Sequence, residues 1–159
     1  MIVAIDPGPK HSGVVVFDES LWTVEHAYCE QNEHVLKYLR SKPLFLAIET
    51  MAAMGMAVSQ DTFDTQLWAG RFVEAVDNNG GQFKPFFRKE IKLHLCGNMR
   101  AKDPNVRRAT MDKFPATGGG KEPRKGTKKQ PGPLYNVSGN DVWSALAIAV
   151  TAAEWKEFL

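Results

Sequence analysis

Ile2-Val3-Ala4-Ile5-Asp6-Pro7-Gly8-Pro9, followed after Lys10-His11-Ser12 by Gly13-Val14-Val15-Val16-Phe17, is the stretch that decides the fold. Ile2 to Ile5 reads as a buried strand, and Asp6-Pro7-Gly8-Pro9 stops it with two prolines and a glycine. Gly13 to Phe17 reads as the next strand, and Trp22 to Tyr28 alternates as a third. Short links between the three imply an antiparallel meander. Working outward, Asn32 to Arg40 carries Val35, Leu36 and Leu39 at helical spacing, and Pro43 ends that helix. Leu44-Phe45-Leu46-Ala47-Ile48 has no polar residue, so it is expected to be a strand buried on both faces, ending at Glu49.

Thr50 to Ser59 reads as a mobile loop, Thr65 to Val76 as a helix closed by Asn78-Asn79-Gly80-Gly81, and Gln82 to Phe87 as a fifth strand. Two short helices are expected near 89–95 and 105–114. Pro115 to Gly139, rich in Gly, Pro and Lys, reads as a polar insertion that does not pack and is mobile. Asn140 to Phe158 is apolar nearly all round from Val142 to Ala153, the pattern of a buried helix. The order predicts a single α/β domain over 1–159. Its five-stranded mixed sheet starts with three antiparallel strands, continues parallel through crossover helices, and has a basic insertion at about 115–139.

The 159 residues, 43% of them apolar, suit one domain with a real core. No stretch resembles a signal peptide or approaches the ~20 apolar residues that span a bilayer, so a soluble cytoplasmic protein with no membrane partner is expected. Cys29 and Cys96 stand far apart, outside any CxxC or Cys/His cluster, and signal neither a disulfide framework nor a zinc site. Net charge is only +2 but uneven. Between Arg100 and Lys129 ten lysines and arginines face Asp103, Asp112 and Glu122, a surplus of seven, while the rest of the chain is at −5. A basic block on an acidic body is the footprint of a polyanionic partner, or else a solvated loop.

Three acids stand at element ends: Asp6 after the first strand, Glu49 after an all-apolar strand, and Asp141 at the start of the buried helix. Each has a structural reading of its own, as a turn former, a solvated terminus or a complement to the helix dipole. Three abutting one sheet point elsewhere, because converging carboxylates repel and stay ionised only around a cation. Oxygen-only ligation suits Mg²⁺ or Mn²⁺, and a pair of such ions is a common device for in-line attack on a phosphodiester.

Ile5-Asp6-Pro7-Gly8 with Ser12-Gly13, Ala47-Ile48-Glu49, Arg88 to Lys92, Cys96-Gly97 to Lys102, and Asp141 before Ser144-Ala145-Leu146-Ala147-Ile148-Ala149 resemble the RuvC family in order and spacing. The matches span nearly the whole chain. Gly126-Thr127-Lys128-Lys129 and Pro131-Gly132-Pro133-Leu134-Tyr135 are similar to the phage-encoded branch, whose members work in a host cytoplasm. The resemblance implies a ribonuclease H-like fold, a homodimer, and resolution of four-way Holliday junctions, and of other branched DNA, by paired Mg²⁺-dependent nicks. It implies that Asp6 bridges the metals, Glu49 holds one of them, and Asp141 completes the site. Where cellular members carry an acid directly before Ala-Leu-Ala, this chain has Ser144; positions 141 and 144 share a helix face, so Ser144 offers a hydroxyl or a bound water. The number of metal ions, one or two, is left open by that departure. Lys92 and Lys102 match family lysines near the scissile phosphate, where a cation stabilises developing charge.

Further DNA contacts are expected from Arg88, Arg100, Arg107, Lys121, Arg124, Lys125, Lys128 and Lys129. In the loop after Glu49, where the family inserts an apolar residue into the opened junction, Met51 and Met54, with Met56, read either as a wedge between bases or as fillers of core gaps. Trp68, Phe72 and Val76 lie on the helix that forms the family's dimer interface, although such a stripe also suits ordinary core. Gly118-Gly119-Gly120-Lys121 is not a phosphate loop, since Glu122 stands where Ser or Thr is required, and no nucleotide cofactor is expected. Two rival readings stay open: an actin-type ATP-binding lobe, which shares the Asp-x-Gly turn but needs a second lobe, and a junction-binding protein of the same fold that has lost turnover.

Overall fold

Alternation along the central strands determines which side chains meet which helices. The computed structural model describes residues 1–155. In β1 (Ile2–Asp6), Ile2 and Ala4 enter one core cluster and Val3 and Ile5 another. In β2 (His11–Asp18), Val15 and Phe17 join the first cluster and Val14 and Val16 the second. Successive side chains on a strand point to opposite faces, so these two clusters are the two sides of one sheet. β3 (Thr23–Gln31) lies outside β2, and its half-exposed pattern marks it as the edge. α1 (Asn32–Leu39) leads to β4 (Phe45–Thr50), and α2 (Gln60–Asn78) leads to β5 (Gln82–Phe87). The sheet order is β3-β2-β1-β4-β5, antiparallel across the first three and parallel from β1 through β4 to β5. This is the mixed topology the sequence predicts.

α1 and α2 cover one face with Val35, Leu36, Leu39, Phe72 and Val76. The other face is covered by α3 (Arg88–Cys96), α4 (Asp103–Met111) and α5 (Asn140–Trp155). α5 is buried on nearly every side from Val142 to Ala153, as its composition requires. Its alanines allow the helix to lie close on the sheet, and at its N-terminus the approach is closest. A Cβ at Gly13 of β2 would collide with the Asp141 backbone carbonyl, so only glycine admits α5 at this height.

Three expectations need correction. α2 begins at Gln60 instead of Thr65, because the Ser59 hydroxyl accepts a 3.3 Å hydrogen bond from the Thr62 amide and caps an earlier turn. β3 runs to Gln31, three residues beyond Tyr28, since its pairing with β2 continues past a bulge between Val16 and Phe17 as far as His11. Most consequentially, 115–139 is not a segment that fails to pack. Leu134 and Val137 are fully buried against α5, the Lys125 ammonium donates to the Val137 carbonyl, and Arg124 donates to the Phe114 carbonyl at 2.9 Å. Two apolar anchors and these backbone contacts secure a stretch whose overall polarity conceals them. The last helix is described to Trp155, and the expected continuation to Phe158 lies outside the described residues.

Candidate active site

The register between β1 and β4 sets the first two acids side by side. Ile5 pairs with Ile48, so Asp6 and Glu49 follow at the C-terminal ends of adjacent parallel strands. Asp6 continues the Ile2-Ala4 alternation and Glu49 follows Ala47 by two, which puts both on the α5 face. Asp141, in the first turn of α5, comes to the same edge through the close approach at Gly13. The three acids gathered from sequence therefore do converge on one end of the sheet, where an open α/β sheet places its ligands.

A buried network holds the turn after Asp6. The Ser12 hydroxyl donates to Asn32 Oδ1 at 2.7 Å, the Asn32 amide nitrogen donates to the Gly8 carbonyl at 2.9 Å, and the Gly8 amide donates to Ser12 Oγ at 3.3 Å. Ser12 and Asn32 are both fully buried, so their polar groups are satisfied by the turn they fix. Asn32 enters the sequence reading only as the first residue of a helix, and its hold on the turn after Asp6 is a finding of the structure.

Electrostatics single out Asp6. Burial, and after it the carboxylates of Glu49 and Asp141, push its pKa up to about 7, against the opposing pull of Arg88 and of a hydrogen bond with Ser144. Burial also raises Glu49, with Arg88 again opposing. Arg88 itself sits among the acids. Its Nη1 lies 3.4 Å from Glu49 Oε2 and 3.4 Å from Ser144 Oγ, and its Nη2 donates to Asp103 Oδ1 at 2.6 Å. Arg88, expected to contact DNA, is half-buried at the centre of the site. Its parity would have shown this: Phe86 packs on the α5 face of β5, and Arg88 follows it by two.

Among the described residues no three acid, histidine or cysteine side chains lie close enough to enclose a metal ion by themselves. The donor set nevertheless suits a hard cation. Asp6 and Glu49 supply oxygens only, the raised Asp6 carboxyl is one whose ionised form a cation would stabilise, and Mg²⁺ is commonly held by one or two carboxylates with the rest of its shell from water and phosphate.

The other residues read from sequence surround this edge unequally. Lys92 is half-buried on α3 beside a groove that it lines with Met51, Met54, Met56, Phe87, Lys89 and Met99. The three methionines are exposed, so they do not fill core gaps. Arg100, Lys102, Lys121, Lys128 and Lys129 are exposed. Arg107 donates to Asn140 Oδ1 at 3.2 Å and lies 5.0 Å over the Trp143 ring, with the Lys125 ammonium 5.6 Å from the same ring. Burial pulls the Lys125 pKa down. Arg124 is half-buried, 3.8 Å from both Asp112 and Glu122. Phe72 and Val76 of α2 belong to the core, whereas Phe63 and Leu67 on that helix are 59% and 66% exposed.

No family model and no curated protein matches the sequence. Solved structures do. The Thermus thermophilus RuvC structure aligns over 99% of this chain and 95% of its own at a TM-score of 0.66 and 19% identity. The chain has the RuvC fold. T. thermophilus RuvC in complex with Holliday junction substrate aligns with a TM-score of 0.69 and 20% identity, over 99% of this chain and 94% of that one. The RuvC-type, ribonuclease H-like sheet is thus shared from end to end, at an identity that carries the architecture alone.

Proposed function

We propose that this protein is a divalent-cation-dependent endonuclease that resolves four-way DNA junctions by paired hydrolysis of phosphodiesters. The observation that carries the reading is the convergence of Asp6, Glu49 and Asp141 on one edge of a RuvC-type sheet, with Asp6 pushed up to about 7. A bound Mg²⁺ or Mn²⁺ supplies Lewis-acid polarisation of the phosphate and a water of lowered pKa. Asp6 and Glu49 would hold such an ion, with Asp141 at the same edge of the sheet. Lys92, half-buried beside the groove, and Lys102, exposed at the start of α4, stabilise charge on the phosphate as it develops. The exposed Met51 and Met54 offer an apolar edge to unstacked bases, and Arg100, Lys121, Lys128 and Lys129 meet phosphates of the junction arms. The exposed Phe63 and Leu67 on α2 support a homodimer, whose two copies would each nick one strand. One neighbour of this fold is described with a Holliday junction substrate, which favours branched over linear DNA.

A second reading, a junction-binding protein without turnover, is favoured by Ser144 and by the pairing of Glu49 with Arg88. A labelled synthetic four-way junction separates the two: symmetric nicks in Mg²⁺ or Mn²⁺ support the nuclease, and binding without nicks in either ion supports the second reading.

A further inference from the structure

Among the described residues Arg88 brings a guanidinium into direct contact with the carboxylate cluster, and its surroundings fix it there. Nη1 is held at 3.4 Å from Glu49 Oε2 and at the same distance from Ser144 Oγ, and Nη2 is held at 2.6 Å by Asp103 Oδ1. Three contacts from β4, α5 and α4 converge on a guanidinium that leaves the sheet at the first residue of α3. Such a planar fork is charged at every accessible pH and is pre-organised for this kind of multiple pairing. Asp103 sits at the exposed rim, so it orients the fork from outside, while Glu49 and Ser144 face it from within.

We propose that Arg88 is a fixed cation that takes the place of a metal ion between Glu49 and residue 144, leaving a centre that holds one divalent cation, on the Asp6 side. This deepens the nuclease reading and rests on it. Charge supports the assignment: the Arg88 guanidinium already sets a positive charge against Glu49, where an ion would otherwise supply it, and is itself paired on its other side with Asp103. Sterics agree, because an ion between Glu49 and Ser144 would have to displace a guanidinium tied on its other side to Asp103. Ser144 fits the same account, for a hydroxyl accepts from the guanidinium without adding a charge that would draw in a second ion.

Manganese titration of the free protein tests this, followed by calorimetry for stoichiometry and by electron paramagnetic resonance for coupling between ions. Wild-type protein is expected to bind one Mn²⁺ per chain and to give the spectrum of an isolated ion. Arg88→Ala removes a repelling charge and should tighten that ion by about tenfold at low salt, while lowering junction cleavage about a hundredfold. Arg88→Lys keeps the charge and should leave the Mn²⁺ affinity near wild type. The double variant Arg88→Ala with Ser144→Asp should bind two ions and show exchange coupling. Two ions in the wild type, a single ion in the double variant, or an Arg88→Ala affinity equal to wild type would each overturn the proposal. If a variant fails to fold, the wild-type count still decides. These readouts need no cleavage, so a protein that never nicks a junction would refute the nuclease reading while the metal count is judged separately.

Discussion

At the scale of single residues, the raised Asp6 carboxyl has a measurable cost. Its folded-state pKa of about 7 lies above the ordinary 3.8, so the folded protein holds this proton longer than the unfolded chain does. As pH rises from about 4 to about 7 the unfolded state releases the proton first, and stability of the metal-free protein falls across that window. Glu49, also raised by burial, acts in the same direction. Asp6→Asn should therefore stabilise the metal-free protein at pH 8 by an amount on the order of 4 kcal/mol, seen as a raised melting temperature, and flatten the decline between pH 4 and 7. Its junction cleavage should fall by a thousandfold or more. Thermal melts across that pH range check the sign, and a melting temperature lowered by the substitution would contradict it. Asp6, Glu49 and Asp141 were legible in sequence because the first two end apolar runs and the third opens one, where a charge needs a reason. Arg88 was read as a DNA contact and not as a partner of the acids, since a basic residue in a basic chain carries no such signal until strand parity aims it inward.

At the scale of elements, the seating of α5 decides whether Asp141 reaches the site. Gly13→Ala places a methyl group against the Asp141 carbonyl, and the helix must lift. Overpacking of this kind costs about 1–3 kcal/mol, and cleavage should fall more steeply than stability, because the carboxylate moves with the helix. Denaturant unfolding together with a junction assay measures both; an Ala variant with wild-type cleavage would show that the close approach is not needed. The far end of α5 is tied differently. Glu154 accepts from Lys113 at 2.7 Å and pairs with His94 Nε2 at 2.5 Å, while Trp155 Nε1 donates to His94 Nδ1 at 2.9 Å. Glu154→Ala should cost about 1.5–3 kcal/mol in urea unfolding and leave Mn²⁺ binding unchanged, since it loosens α3 and α5 away from the acids. Element type and order were legible from apolar runs and Gly/Pro punctuation. The early start of α2 was not, because Ser59 sits in a stretch of small residues where a cap looks like loop, and Leu134 and Val137 were hidden in a segment judged by its average polarity.

At the scale of the whole molecule, the charge asymmetry becomes a surface only after intramolecular pairs are set aside. Arg124 and Lys125 are committed to holding 115–139 in place, whereas Lys121, Lys128 and Lys129 stay exposed. Replacing those three with Gln should weaken binding to every DNA and flatten the slope of log K against log salt by up to about 2.7, at about 0.9 per phosphate contact. Replacing Arg124 and Lys125 should instead lower stability. Binding measured over a salt series distinguishes the two sets, and an unchanged slope in the triple variant would show that these lysines meet no phosphate. The central claim, that three carboxylates on a RuvC-type sheet form a working nuclease centre, is tested most directly by incubating a labelled four-way junction with wild-type protein, Asp6→Asn and Glu49→Gln in Mg²⁺ or Mn²⁺. Symmetric nicks by the wild type and none by either variant, with junction binding retained in all three, is the predicted result. A wild type that binds the junction yet cuts it in neither ion, or variants that cut as fast as the wild type, would contradict it.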